Sequence, residues 1–282
     1  MKSSRVLLWA GATSMAFAAA AHAVVIVNET FDSYADQAAF EAAWVPYTGV
    51  APILSTDQSS SPPKSVFVPG ATSQTTNDYR ARFTFPETTF DTTTQIVFSV
   101  DFYDSAPTAS PARNYVNLQD GASPVATNQL VALGLNNNQT ASNSGGNYYM
   151  ARILGYNVPA VDPDGGPNES VTGSGAFFKL NDFGVGLRSA GWHTLTVVIS
   201  TSDGSSTDYA FYVDGQLAEL VRGVGTAIRS YDNIALGSGL TNNNTPAYFD
   251  NIRLEVVPEP ATIGLLALGG LFLRRRRAAT GV

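Results

Sequence analysis

Residues 191–221 read GWHTLTVVISTSDGSSTDYAFYVDGQLAELV. β-Branched and aromatic residues gather into short runs here, and polar clusters separate the runs. The run 193–200 ends in a polar turn that contains Asp203-Gly204. The next run, 209–213, meets Asp214-Gly215. Asp-Gly between two such runs marks a two-residue hairpin turn, because both central positions need positive φ. A third run, 216–221, follows. Strands joined by hairpins lie antiparallel, so this stretch predicts an antiparallel sheet.

The same pattern extends in both directions. Further strands are predicted at 24–27, 65–68, 79–85, 95–103, 114–118, 129–135, 148–154, 176–180, 234–237 and 248–256. Asn, Gly, Ser, Asp and Pro break the chain between them. In the last run, alternation places Phe249, Asn251 and Arg253 on one face and Tyr248, Asp250, Ile252 and Leu254 on the other. One helical stretch is expected, 36–43, with Asp36 as N-cap and alanines behind it. Many short strands and one helical turn predict an all-β, two-sheet antiparallel sandwich over residues 24–256. Two polar stretches, 136–147 and 162–175, are expected to be surface loops and a candidate binding rim.

Both ends read as targeting segments. Residues 1–23 carry Lys2 and Arg5, then an Ala-rich apolar run, then Ala21-His22-Ala23. That order predicts a signal peptide cleaved after Ala23. Residues 257–282 begin Val257-Pro258-Glu259-Pro260, continue through an apolar run, and reach Arg274, Arg275, Arg276 and Arg277. The prolines resist helix. The apolar run 261–273 spans about 20 Å as helix, against a hydrocarbon core of about 30 Å. Arginines stay on the cytoplasmic side. The tail therefore reads as a short, transient membrane stop.

The whole chain carries a charge of −7. With Lys2 and Arg5 in the leader, and four arginines against Glu259 in the tail, the body between them carries −12 and ten cationic side chains. Such a body disfavours nucleic acid and anionic lipid as partners. There is no cysteine, so neither disulfides, a thiol nucleophile nor thiolate metal sites are available.

Two resemblances sharpen this reading. VPEPATIGLLALGGLFLRRRR, residues 257–277, resembles the PEP-CTERM sorting tail of Gram-negative bacteria. The resemblance implies recognition by exosortase, a membrane transpeptidase with a cysteine nucleophile, and removal of the tail near Pro258-Glu259-Pro260. It also implies a transient inner-membrane intermediate, then release to the cell surface or extracellular matrix alongside exopolysaccharide. The W-H-x-L start and V-D-G turn of 191–221 resemble the concanavalin A-like, laminin-G-like jelly roll. The opening NETFDSYADQAAFEAAW and the closing YFDNIRLEVV are similar to that superfamily's first and last strands.

Chemistry is harder to place. The body has one histidine, His193, next to Trp192, where the fold resemblance implies packing. No G-x-S-x-G marks a nucleophile, and histidine metal clusters are excluded by count. Laminarinase-type carboxylate motifs are absent. The nearest acids, Asp101 and Asp104, are three apart and should face opposite ways. These points favour a protein that is not an enzyme. The jelly-roll resemblance implies a structural Ca²⁺ held by Glu29 or Asp32 together with Asp250, since an aspartate on an apolar face needs a partner. A loop N–H or an arginine would serve equally. Tyr148, Tyr149 and Tyr156 flank the polar loops and are candidate platforms for pyranose rings, or else core residues. Three functions fit: a non-catalytic module binding extracellular polysaccharide, a structural or adhesive matrix protein, and a polysaccharide hydrolase or lyase. The first is favoured.

Overall fold

The protein is described from a computed structural model, which covers residues 23–47, 50–70, 79–109, 112–121, 130–136, 147–154, 175–224, 230–237 and 245–259. The expectations for the signal peptide, for Tyr156, for most of both polar loops and for the tail beyond Glu259 lie outside these residues.

In chain order the strands are β1 (Val24–Glu29), β2 (Val45–Pro46), β3 (Ile53–Ser55), β4 (Ser65–Val68) and β5 (Ala81–Thr89). There follow β6 (Thr94–Asp104), β7 (Arg113–Gln119), β8 (Leu130–Asn136), β9 (Met150–Leu154) and β10 (Gly175–Lys179). The last are β11 (Gly191–Ser200), β12 (Thr207–Val213), β13 (Gln216–Val224), β14 (Ser230–Leu236) and β15 (Ala247–Pro258). The helix α1 (Gln37–Ala43) lies between β1 and β2, and its N-cap Asp36 accepts the Ala39 N–H at 2.9 Å. The cap and its alanines act as the sequence predicts. The strands β2 and β3 were not foreseen; at two and three residues they are too short to show a period.

The strands form two antiparallel sheets. The first runs β13-β12-β11-β6-β15-β4-β3, with β1 also paired to β15. The second runs β10-β9-β8-β7-β14-β5-β2. The expected sandwich is the observed one. Between the sheets lies a core that includes Phe98, Phe102, Phe211, Phe249, Leu118 and Ile234, all fully buried. Burial of each large apolar side chain contributes about 1.5–3 kcal/mol. Phe31, Phe40 and Trp44 extend this core beneath α1, with Phe40 and Trp44 stacked at 6.2 Å.

The Asp-Gly hairpin is as read. Val213 pairs with Gln216, and Asp214 and Gly215 take φ of 51° and 78°. The first and last strands of the sandwich also lie together, with Val24 opposite Val256.

The last strand departs from simple alternation. A bulge interrupts its pairing with β6 between Asp250 and Arg253, and Asn251 takes φ of 46°. Asparagine tolerates that region better than most residues. The extra residue reverses the pleat. Ile252 and Leu254 therefore join Phe249 in the core, while Asp250 leaves the face the sequence assigned it. Asp250 instead pairs with Asp101 on the outer face, beneath the segment that carries Ser60 and Ser61.

Candidate functional site

The outer face of the second sheet carries a set of polar side chains on a strand framework. In β7, Val116 and Leu118 enter the core, so Arg113, Tyr115, Asn117 and Gln119 occupy the opposite face. A period of two produces this division from the sequence RNYVNLQ. Pairing then lines up residues from neighbouring strands. Asn117 lies opposite Ala132 of β8, which lies opposite Arg152 of β9. On the other side Asn117 lies opposite Ala235 of β14, which lies opposite Arg82 of β5.

A single row thus reads Arg82, Ala235, Asn117, Ala132, Arg152. With strands about 4.8 Å apart, the two arginines stand about 19 Å from each other across it. Ala235 and Ala132 line this row between the longer side chains and are themselves buried. Arg82 and Arg152 are half-buried at its ends, and Asn117 is buried in the middle.

The next row repeats the scheme. Tyr115 lies opposite Gly134, whose φ is +149°. A Cβ on Gly134 would sit 2.3 Å from the Asn114 carbonyl oxygen and 2.8 Å from Tyr115 Cβ. Only glycine lets the two strands and the tyrosine approach so closely. Arg113 Nε donates to Tyr115 Oη at 2.7 Å, and Arg152 also hydrogen-bonds with this hydroxyl. Burial, reinforced by the nearby Arg113 charge, holds the Arg152 guanidinium below its usual pKa.

On the far side, Tyr47 Oη donates to Gln119 Oε1 at 3.0 Å, and Arg80 lies over the Tyr47 ring at 4.4 Å. Lys179 of β10 follows the buried Phe178 and belongs to the outer face. Arg80, Arg82, Arg113, Arg152 and Lys179 are five of the body's ten cations. They gather on one face of a domain whose net charge is strongly negative. Arg113 forms no ion pair among the described residues, although it is only 5% exposed. A buried cation without a carboxylate favours an anion from outside.

The side chains proposed from sequence fall elsewhere. Tyr149 is buried, packed on Phe102 and 5.2 Å from the His193 ring, and presents no face to a sugar. Tyr148 is half-buried beside it. Glu29 accepts the Phe31 N–H, the Tyr34 hydroxyl and the Trp44 indole N–H, at 2.7, 2.5 and 3.3 Å. Asp32 accepts the Lys64 N–H at 2.9 Å. Asp250 Oδ2 accepts the N–H groups of Ser60 and Ser61, both at 2.9 Å, and Oδ1 accepts its neighbour Asn251 at 2.8 Å. The three acids each have their own donors. Among the described residues, no group of three or more metal-capable side chains comes together. Asp101 and Asp104 face opposite ways, as expected: Asp101 lies outside with Thr194, and Asp104 lies inside with Arg188.

The sorting residues can be placed in part. Val257 and Pro258 pair with Gln95 and Thr94, and the Glu259 N–H donates to the Thr93 carbonyl at 2.7 Å. Residues 256–277 match the PEP-CTERM protein-sorting motif. The chain carries a PEP-CTERM sorting signal. This motif implies export and processing by exosortase. Among the described residues, no helix is long and apolar enough to cross a membrane.

Comparison with curated proteins returned no match. Among solved structures, the sandwich is similar to an endo-β-1,4-glucuronan lyase from the fungus Trichoderma reesei, with 9% identity and a TM-score of 0.48 over 83% of this chain and 95% of that one. It is also similar to the carbohydrate recognition domain of Emp47p, with 12% identity and a TM-score of 0.44 over 85% and 98%. A third similar structure is alginate lyase Aly36B, with 10% identity and a TM-score of 0.43 over 83% and 96%.

Proposed function

We propose that this is an exported, exosortase-sorted protein of the cell surface or extracellular matrix, and that its sandwich binds acidic polysaccharide without catalysis. The carrying observation is the row Arg82–Asn117–Arg152, with Arg113 and Tyr115 beside it. Guanidinium groups suit sugar carboxylates because they donate two parallel N–H bonds. The amides of Asn117 and Gln119 suit hydroxyls. The PEP-CTERM signal supports this reading, since it implies export of the domain.

Binding of the purified protein to a polyuronate and to a neutral glucan tests this reading. The polyuronate should bind more tightly and weaken as salt rises. Arg113→Met and Arg152→Met should each weaken it by about ten- to a hundredfold, from the loss of about 1.5–3 kcal/mol per charged hydrogen bond. Equal affinity for both polymers, or no effect of either substitution, would reject the acidic ligand and favour a structural or adhesive role.

One observation favours a second reading. The Tyr115 hydroxyl sits against two guanidinium groups. A lyase acting on uronates needs a neutralised carboxylate beside a proton acceptor. Appearance of unsaturated, ultraviolet-absorbing ends on the polyuronate would establish that reading in place of simple binding.

A further inference from the structure

The Asp-Gly turn between β12 and β13 reaches back to β11. Asp214 Oδ2 lies 2.8 Å from His193 Nδ1, and His193 Nε2 lies 3.0 Å from Ser189 Oγ. We propose that Ser189, His193 and Asp214 form a hydrolytic triad for uncharged carboxylic esters. This goes beyond glycan binding and does not depend on it.

The geometry is that of an activated nucleophile: a hydroxyl in reach of a base, and the base oriented by a third group. Ser189 is exposed, His193 is 14% exposed in its side chain, and Asp214 is 52% exposed. Asp214 is well fixed. Its Oδ1 accepts the Thr194 N–H, and its own N–H donates to the Thr194 carbonyl, both at 2.8 Å.

The tautomer follows from the partners. His193 Nε2 is 3.0 Å from the Ser189 carbonyl oxygen as well as from Oγ. A neutral imidazole has one N–H. Placing it on Nε2 would set the Nδ1 lone pair against the Asp214 carboxylate at 2.8 Å. With the proton on Nδ1, that contact becomes a charge-assisted hydrogen bond, and the Nε2 lone pair accepts from Ser189 Oγ–H once the Ser189 carbonyl, 3.0 Å from the same nitrogen, turns aside.

Two further features suit acyl transfer. Among the described residues, no hydrogen bond occupies the N–H of the exposed Ala190. The N–H that follows a nucleophile is a common oxyanion donor. Leu187 is 60% exposed two residues before Ser189, so an apolar surface and an acidic one flank the hydroxyl. An uncharged acyl group would suit this setting, and an anionic one would be repelled by Asp214.

In the first step Ser189 Oγ bonds to the ester carbonyl carbon while its proton passes to His193 Nε2. The carbon–alkoxy bond then breaks, and that proton leaves with the alcohol. Water attacks the acyl-serine, gives its proton to Nε2, and the acid departs as the proton returns to Ser189 Oγ.

The test uses the purified protein with p-nitrophenyl acetate and a fluorophosphonate. The fluorophosphonate should add to Ser189, as mapped by peptide mass, and should stop hydrolysis. Ser189→Ala should abolish both. His193→Gln and Asp214→Asn should each lower the rate by about a hundredfold or more. Ser205→Ala, another exposed serine, should change nothing. Ser189 lies on an exposed loop, so an unchanged melting temperature in Ser189→Ala separates chemistry from folding. Failure of the probe to label Ser189, or full hydrolysis by Ser189→Ala, would overturn the proposal and make His193 a staple between the turn and the loop.

Discussion

Arg188 meets Asp104 through two nitrogens, Nε to Oδ2 at 2.8 Å and Nη2 to Oδ1 at 3.2 Å, with both side chains 1% exposed. Arg188 Nη2 also donates to the Ala106 carbonyl at 3.1 Å. The pair fastens the loop before β11 to the end of β6. Removing one partner leaves the other charge buried. Asp104→Ala is expected to cost about 3–5 kcal/mol, measured by urea unfolding. A loss below about 1 kcal/mol would mean that water takes over the pairing.

Asp250 is the subject of a second prediction. Burial raises its carboxyl pKa, and the N–H groups of Ser61, Asn251 and Ser60 pull it down. Asp250→Ala strands those donors and should cost about 1–3 kcal/mol. These N–H groups give Asp250 partners of its own. Melting in excess chelator and in excess calcium is therefore expected at one temperature. A higher temperature with calcium would place an ion at Asp250 with Glu29 or Asp32.

Asp203 should govern part of the acid response. The N–H groups of Ser206 and Ser205 hold its carboxyl well below the usual range. A folded pKa below the unfolded one gives stability that is present above the unfolded value and lost as pH falls through the folded value. Asp250 has the opposite sign: its folded pKa is raised, so its ionisation costs stability as pH rises through that window. The urea midpoint of Asp203→Ala should lie below that of the parent at neutral pH, and the gap should close in strong acid. A constant gap would assign the effect to turn geometry instead.

Processing gives a fourth prediction. Intact mass of the native protein should show Val24 at its start and loss of the tail at or near Pro258-Glu259-Pro260. A mature form that keeps Arg274, Arg275, Arg276 and Arg277 would refute sorting by exosortase.

Local chemistry made much of the fold readable. Asp214-Gly215 demanded a turn with two positive φ values, and Asp36 capped the helix it preceded. The bulge was not readable in that way. Asn251 fits a strand by spacing, and its positive φ emerges only when β15 is docked between β6 and β4. The shift by one residue put Asp250 and Ile252, which simple alternation places on one face, on opposite faces, so Asp250 no longer sits on the apolar face. The arginine row was half visible. RNYVNLQ alternates polar and apolar residues, a signal of a polar outer face. That Arg82 and Arg152 join that face depends on pairing between distant strands. Ser189 carries no motif at all; it reaches His193 because Arg188 pins the loop.

The strand that directly precedes the sorting signal is a central member of its sheet, with β6 along one side and β4 and β1 along the other. During export from the amino end, β6 and β1 would emerge well before their shared neighbour. The first sheet would remain split into two parts until residues 247–258 cleared the membrane. Completion of the sandwich and arrival of the Pro-Glu-Pro segment then become nearly one event. Glu259 is still bonded to Thr93, so the finished domain extends into the Pro-Glu-Pro segment itself. Folding at that point would coincide with arrival of the tail at its transpeptidase, which would tie completion of the domain to the timing of its release.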